Sequence, residues 1–266
     1  MSEPILLSVD DHVARLTLNR PARLNAFNAD LARAWRDATV EATSRDDVHA
    51  IVIDAAGPSF CAGGDVVEMA TTMQSGSQLT ELAGVINAGI RALTESAIPV
   101  VAAAHGTTVG GGLGILLCSD YAVVGSRSHL GSLYANIGLT PDLSVSAHLA
   151  AAIGERRALQ LVLQDRLLTA QEARDWGLVA EAVEGADAGA EADLVRARAA
   201  EIARFWCEGA AGAYGQAKRL IRSRPARSFT EQLAEEAHSI GAAFETPDAR
   251  ARVTAFAAAS AKKKAE

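Results

Sequence analysis

Basic charge is in short supply in this chain: 25 Lys and Arg face 32 Asp and Glu, for a formal net charge of −7. That balance excludes the broad basic face on which nucleic acid is usually held, although a few local donors can still hold a small anion. Cysteine is equally sparse. Cys61, Cys118 and Cys207 are an odd number, far apart, and lack the close spacing of a metal site; a reducing cytoplasm suits them best. Long apolar runs are missing too. Stretches such as PVVAAAHG fall well short of the roughly 20 residues that span a bilayer, so no membrane partner is expected. The opening MSEPILLSVDD has no basic segment leading into an apolar one, and no signal peptide is expected. What is there is an ordinary soluble balance, 49% hydrophobic and 21% charged over 266 residues. That is enough for one large domain, or one domain plus an appendage.

Apolar spacing then divides the chain. Ile5, Leu7 and Val9 alternate before Asp10-Asp11, and Ala14, Leu16 and Leu18 alternate after it, which predicts a β-hairpin over 5–18. Asn28 is placed to cap a helix carrying Leu31, Trp35, Ala38 and Ala42 on one side. HAIVIDAAG, PVVAAAHG and YAVVGS read as short strands. A long helix with Leu79, Leu82, Ile86, Ile90 and Leu93 lies between the first two. The segment from Asp142 to about Leu163 has a helical pattern, and TAQEARDWGLV supplies a capping box, Thr169 with Glu172, and a stop at Gly177. Strands and helices alternate over the first two thirds, an α/β core.

The last third reads as helices alone. One carries Val195, Ala199, Ile202 and Trp206. A second opens on a capping box, Ser228 with Glu231, and repeats Leu233, Ala237, Ile240 and Phe244. A third begins with Thr246 as cap and Pro247 in the first turn. This predicts a core over residues 1–192 and a helical appendage over 193–266 that packs on another subunit. EGADAGAEAD is expected to be the connecting loop and AAASAKKKAE a frayed tail.

Chemistry concentrates in two glycine-rich turns, SFCAGGDVVEM (Ser59 to Met69) and HGTTVGGGLGILLCSD (His105 to Asp120). Each is a strand that ends in small residues and enters a helix, so free backbone N–H groups gather where negative charge is favoured. Side by side, the turns could aim one N–H each at a single oxygen and stabilise charge that develops on it. Taken alone, either cluster reads more readily as a tight helix–sheet contact. A nucleotide site fails on spacing: there is no full Gly-x-Gly-x-x-Gly at the first strand and no Lys-Ser/Thr of a phosphate loop.

With LNRPARLNAF, GPSFCAGGDV, IPVVAAAHGTTVGGGLGILLCSDYAV, IGLTPD, LLTAQEARDWGLV and the closing RVTAF in this order, the chain resembles the crotonase (enoyl-CoA hydratase/isomerase) superfamily over nearly its whole length. The resemblance implies a spiral of β-β-α units, a C-terminal helical trimerisation region, and a homotrimer or a hexamer built as a dimer of trimers. It implies an acyl-CoA thioester as substrate, with coenzyme A arriving as part of that substrate rather than as a cofactor. The oxyanion donors would be the N–H groups of Gly64 and Gly111. The acyl-CoA would lie along Gly64, Asp65, Val66 and Val67, with its adenine near the backbone around Ala22, Leu24 and Ala62. Tyr134 and Phe256 are further expected contacts. Losing one oxyanion donor costs about 3–4 kcal/mol of barrier in comparable sites.

The reaction is decided by departures from the family pattern. Hydratases of the superfamily resemble one another in using two glutamates, and the matching positions here are Gly114 and Tyr134. Glycine cannot move a proton, and a phenol with a reference pKa of about 10 is a poor base at neutral pH. Asp142 matches the acid of double-bond isomerases such as that of aerobic phenylacetate degradation. One carboxylate can take a proton from one carbon and return it to another while the oxyanion site holds the dienolate. Asp142 also matches the nucleophile of 4-chlorobenzoyl-CoA dehalogenase, but Asn87 stands where that enzyme has a histidine and Tyr134 where it has a tryptophan. From position alone, Asp142 reads as a helix N-cap. With both glutamate sites empty, the expected role is proton transfer. A hydratase with an atypical acid, a dehalogenase or thioesterase acting on an aromatic acyl-CoA, and a non-catalytic acyl-CoA binder remain as alternatives.

Other polar residues carry blander expectations. Cys61 is expected to pack, His105 to satisfy backbone groups, His148 to point away from Asp142, and Asp120 to be structural. Tyr134 either lines the acyl pocket, ranked first, or donates to Asp142. Alanines follow the Phe256 position where relatives place a CoA-binding lysine, so phosphate recognition falls to Arg23 or to Lys262 to Lys264.

Overall fold

The computed structural model describes residues 3–164 and 166–263. The alternation near the N-terminus forms strands β1 (Ile5–Asp10) and β2 (Val13–Leu18), paired antiparallel with Ile5 opposite Leu18. Asp11 and His12 make the turn with φ of 45° and 66°, as a two-residue hairpin loop requires. Helix α1 (Ala29–Ser44) starts where expected, Asn28 Oδ1 accepting the Leu31 N–H at 3.0 Å, and buries Leu31, Trp35, Ala38 and Ala42.

From β3 (Ala50–Ala55) onward the chain repeats a unit. β3 is followed by a bridge from Cys61 to Thr108 and by α2 (Val66–Thr72) and α3 (Gly76–Glu95). β4 (Val100–Ala104) is followed by β5 (Thr107–Val109) and α4 (Gly111–Leu117). β6 (Tyr121–Gly125) is followed by β7 (His129–Gly131), α5 (Val145–Ile153) and α6 (Glu155–Val162). β8 (Leu168–Thr169), α7 (Ala170–Trp176) and β9 (Glu181–Val183) complete it. In the units that begin at β3, β4 and β6 the first strand joins a large sheet, order β1-β2-β3-β4-β6-β9, parallel from β2 on and closed by β9; β5, β7 and β8 form a small sheet, with β8 antiparallel to β7. This is a β-β-α spiral. β3 and β4 are buried at every position, as parallel strands covered on both faces must be.

The C-terminal third holds α8 (Ala188–Glu208), α9 (Ala211–Arg222), α10 (Phe229–Phe244) and α11 (Pro247–Lys263). Four expectations need correcting. The helical pattern from Asp142 to Leu163 is two helices, broken at Gly154, whose φ of 78° and ψ of 153° are open only to glycine. Asp142 itself precedes α5, which starts after Ser144. EGADAGAEAD is not all loop: Asp187 Oδ1 accepts the Gly189 and Ala190 N–H groups at 2.9 Å each and starts α8 there. The expected boundary at 192/193 therefore falls inside α8. This helix is no appendage, because Val195, Ala199, Ile202 and Ala203 are buried with Ala50, Val52, Val101, Ala103 and Val123 of the large sheet. Lastly, the expected frayed tail is helical through Lys263.

Candidate active site

The two glycine turns meet backbone to backbone. A Cβ placed on Gly63 would stand 3.0 Å from the Val109 carbonyl oxygen and 3.3 Å from the Gly111 nitrogen. Gly63 and Gly110, the residues before the two expected donors, have φ of +94° and +55°. Such backbone turns the next N–H out of the strand path and is accessible to glycine. Next to Gly63, Phe27 donates to the Gly63 carbonyl at 2.7 Å and accepts from the Asp65 N–H at 2.9 Å. The N–H of Gly64 between them faces the other way. Gly111 opens α4, so its N–H has no acceptor within the helix. Both residues line one cavity of about 700 Å³.

That cavity is walled by the turns, by α2 and α3 through Val66, Met69, Leu79 and Leu82, and by the loop from Tyr134 to Leu143. Among the described lining residues Tyr134 and Asp142 alone are titratable. Tyr134 Oη donates to Asp142 Oδ1 at 2.6 Å. Burial pushes the Asp142 carboxyl above the usual carboxylate range, with the Tyr134 hydroxyl pulling weakly the other way. The Tyr134 phenol is itself pushed up, first by burial and then by the Asp142 charge. It therefore stays protonated at neutral pH and acts as a donor, lining the cavity and holding the carboxylate together. Asp142 contributes its backbone carbonyl to the Val145 N–H at 2.9 Å, but its side chain does not cap α5. Two N–H groups and one raised-pKa carboxylate on one apolar wall can stabilise an oxyanion and carry a proton.

The other expected residues fall into three groups. Ala62 and Val66 line the cavity beside Gly64. Ala22 and Arg23, in a short 3-10 turn, and Leu24 are exposed, and Val67 is exposed on α2. The Leu24 carbonyl accepts the Ala62 N–H at 3.0 Å, which brings these stretches together. Asp65 and Phe256 stand apart from the cavity wall. Asp65 is buried, caps α2 by accepting the Glu68 N–H and pairs with Arg20 at 3.2 Å, so its carboxylate is already spent. Phe256 is exposed on α11. Lys262 and Lys263 have no described side-chain positions and Lys264 lies outside the described residues.

Cys61 is fully buried, with its thiol pushed up to about 12 by desolvation, and packs rather than reacts. His105 Nε2 meets the Gly57 carbonyl at 2.8 Å, and Asn87 lines the cavity. Sequence reasoning missed Asn25. Its buried amide donates to the Ala56 and Ser59 carbonyls at 2.9 and 2.8 Å and accepts from the Arg20 N–H at 2.8 Å, sewing the Arg20–Phe27 loop to the first glycine turn. The signal was an Asn between apolar residues in LNAF, too short to separate from a turn residue.

Comparison with known proteins gives the family and the fold. The profile of the family described as enoyl-CoA hydratase/isomerase matches residues 8–263. A protein of Mycobacterium bovis named "Probable enoyl-CoA hydratase echA8" is 30% identical over 254 residues, 96% of this chain and 95% of its own. The 4-chlorobenzoyl coenzyme A dehalogenase-2 of an Arthrobacter species is 32% identical over 250 residues, 92% of this chain and 87% of its own. The crystal structure of an enoyl-CoA hydratase from Bacillus anthracis shares the fold, with a TM-score of 0.87 at 24% identity over 95% of each chain. By this match over nearly its full length, the chain belongs to the enoyl-CoA hydratase/isomerase family, the crotonase superfamily.

Proposed function

We propose that this family member is an enoyl-CoA isomerase that moves a carbon–carbon double bond along the acyl chain of a CoA thioester. The observation that carries the reading is Asp142, the one carboxylate among the described residues on the wall of a cavity that also takes in Gly64 and Gly111. One Asp142 oxygen is engaged by Tyr134; the other takes a proton from the carbon between the thioester carbonyl and the 3,4-double bond. The electron pair spreads onto the thioester oxygen, where the Gly64 and Gly111 N–H groups receive the charge. Asp142 returns the proton at the far end of the dienolate, leaving a conjugated 2-enoyl thioester. Nothing else is consumed.

The substrate is placed along Gly64 to Val67, with the adenine toward Ala22, Arg23 and Leu24, and coenzyme A serves as part of the substrate. The exposed apolar side chains of the C-terminal helices are assigned to a homotrimer or a dimer of trimers. A hydratase reading is favoured by the names of several relatives. Against it, Gly114 and Tyr134 offer no carboxylate to activate water. A 3-enoyl-CoA incubated with the protein in deuterated water separates these readings. Isomerisation gives a conjugated product, carrying deuterium to the extent that the proton held by Asp142 exchanges with solvent before it is returned. Unchanged 3-enoyl-CoA together with conversion of a 2-enoyl-CoA to its 3-hydroxyacyl product would make it a hydratase, free CoA a thioesterase, and no change in either substrate a binder. Asp142→Asn is expected to cut turnover by about 10²–10⁴-fold, and full activity in that variant would refute its role.

A further inference from the structure

Leu143 lies against α4 more closely than any side chain would permit. A Cβ placed on Gly114 would stand 2.1 Å from the Leu143 carbonyl oxygen, 3.0 Å from its Cβ and 3.1 Å from its carbonyl carbon. One turn earlier, a Cβ on Gly111 would stand 2.7 Å from Leu143 Cδ1. Residues three apart share a helix face, so Leu143 covers both glycines with one side chain and one peptide. The loop bears a cost to lie there. Leu143 and Ser144 have φ of 48° and 68°, and the Ser144 hydroxyl is buried without a hydrogen-bond partner. Left-handed backbone at two successive non-glycine residues persists only where the surroundings enforce it. Here the bare face of α4 does so, and Asp142 is the next residue along the chain.

We propose that Gly114 is a positioning residue for Asp142: its missing side chain makes the seat for the Leu143 peptide, and that seat holds the neighbouring carboxylate at the cavity wall. The inference rests on Asp142 being the proton carrier. With any side chain at 114, the Leu143 peptide must withdraw by about 1 Å to restore contact distance. Asp142 moves with it, while Gly64 and the apolar wall from α2 and α3 stay in place. A displacement of that size at a reacting group costs on the order of 100-fold in rate.

The test measures kcat and KM of Gly114→Ala on a 3-enoyl-CoA, beside the dissociation constant of a saturated acyl-CoA and the melting temperature, with Asp142→Asn in parallel. The expected result is a kcat lower by roughly 100-fold, with KM and the saturated ligand's affinity within about threefold. Unchanged kcat, or an equal loss of ligand affinity, overturns the proposal. If Gly114→Ala does not fold, Leu143→Val decides. A β-branched residue keeps an apolar side chain but resists the φ of 48° that lays the peptide on Gly114, so a kcat loss of about tenfold with KM preserved supports the proposal and unchanged kcat overturns it. Full turnover by Asp142→Asn overturns the proton-carrier reading and this inference with it. Loss in Asp142→Asn with full turnover in Gly114→Ala overturns this inference alone.

Discussion

Asp65 and Asp142 are both acids in segments that shape the cavity, yet their surroundings give them opposite uses. Asp65 is spent on Arg20 and the first turn of α2. Asp142 has one oxygen on a phenol and a pKa raised by burial, which suits a group that must accept a proton and release it again. The Tyr134 hydroxyl favours the ionised carboxylate, so Tyr134→Phe leaves burial less opposed and the Asp142 pKa rises further. Because the ionised form is the base, the acid limb of kcat/KM should move to higher pH in Tyr134→Phe. A pH–rate profile that stays in place, or shifts to lower pH, would show that the phenol does not tune the carboxylate.

Among the elements, the ends of helices were set locally and their docking was not. Thr169–Glu172 and Ser228–Glu231 close the capping boxes of α7 and α10, and Gly177 ends α7 in left-handed conformation. What ties α9 to the core is different in kind. Lys218 is buried and donates to the Leu93 and Ile98 carbonyls at 2.7 Å each, and it pairs with Asp120 at 3.0 Å. Asp120 in turn accepts the Val100 N–H at 2.9 Å and pairs with Arg222. The expectation that Asp120 is structural is met, with partners on β4 and α9. Removing one member of a buried pair costs about 3–5 kcal/mol, so Lys218→Met should lower the unfolding free energy by about that much in urea titration. A loss under about 1 kcal/mol would mean that α9 is held by its apolar contacts instead.

For the whole molecule, the exposed apolar side chains are informative. Phe205, Ile221, Phe229, Ile240 and Phe244, all on or beside the C-terminal helices, are each more than half exposed in the single chain. Soluble monomers seldom leave so much large apolar surface in one region, and such surface marks an interface. The protein is therefore expected to sediment as a multiple of its 27.7 kDa chain, and Ile240→Asp with Phe244→Asp to dissociate it. A wild-type protein that sediments as a monomer at micromolar concentration would refute the assembly. No helix among the described residues is long and apolar enough to cross a membrane.

By itself the sequence determined whatever depends on neighbours a few residues apart. Alternation made the hairpin, a period of 3.6 made α1 and α3, and caps at Asn28, Thr169 and Ser228 started helices where they were read. It also brought the glycine turns and Asp142 to notice, although the reason for linking them came from a family resemblance rather than from spacing. Tertiary structure decided what joins distant stretches. α8 lies on the large sheet because its apolar face meets strands about a hundred residues earlier, which no local pattern encodes. The Tyr134 hydroxyl reaches Asp142 because a 3-10 turn, flanked by Leu133 and Gly138 in left-handed conformation, folds that loop back, where an ideal helix from Asp142 would not have placed it. Leu143 rests on Gly114 only because α4 and the loop pack together; a missing side chain gives no sign of which atom will occupy its place.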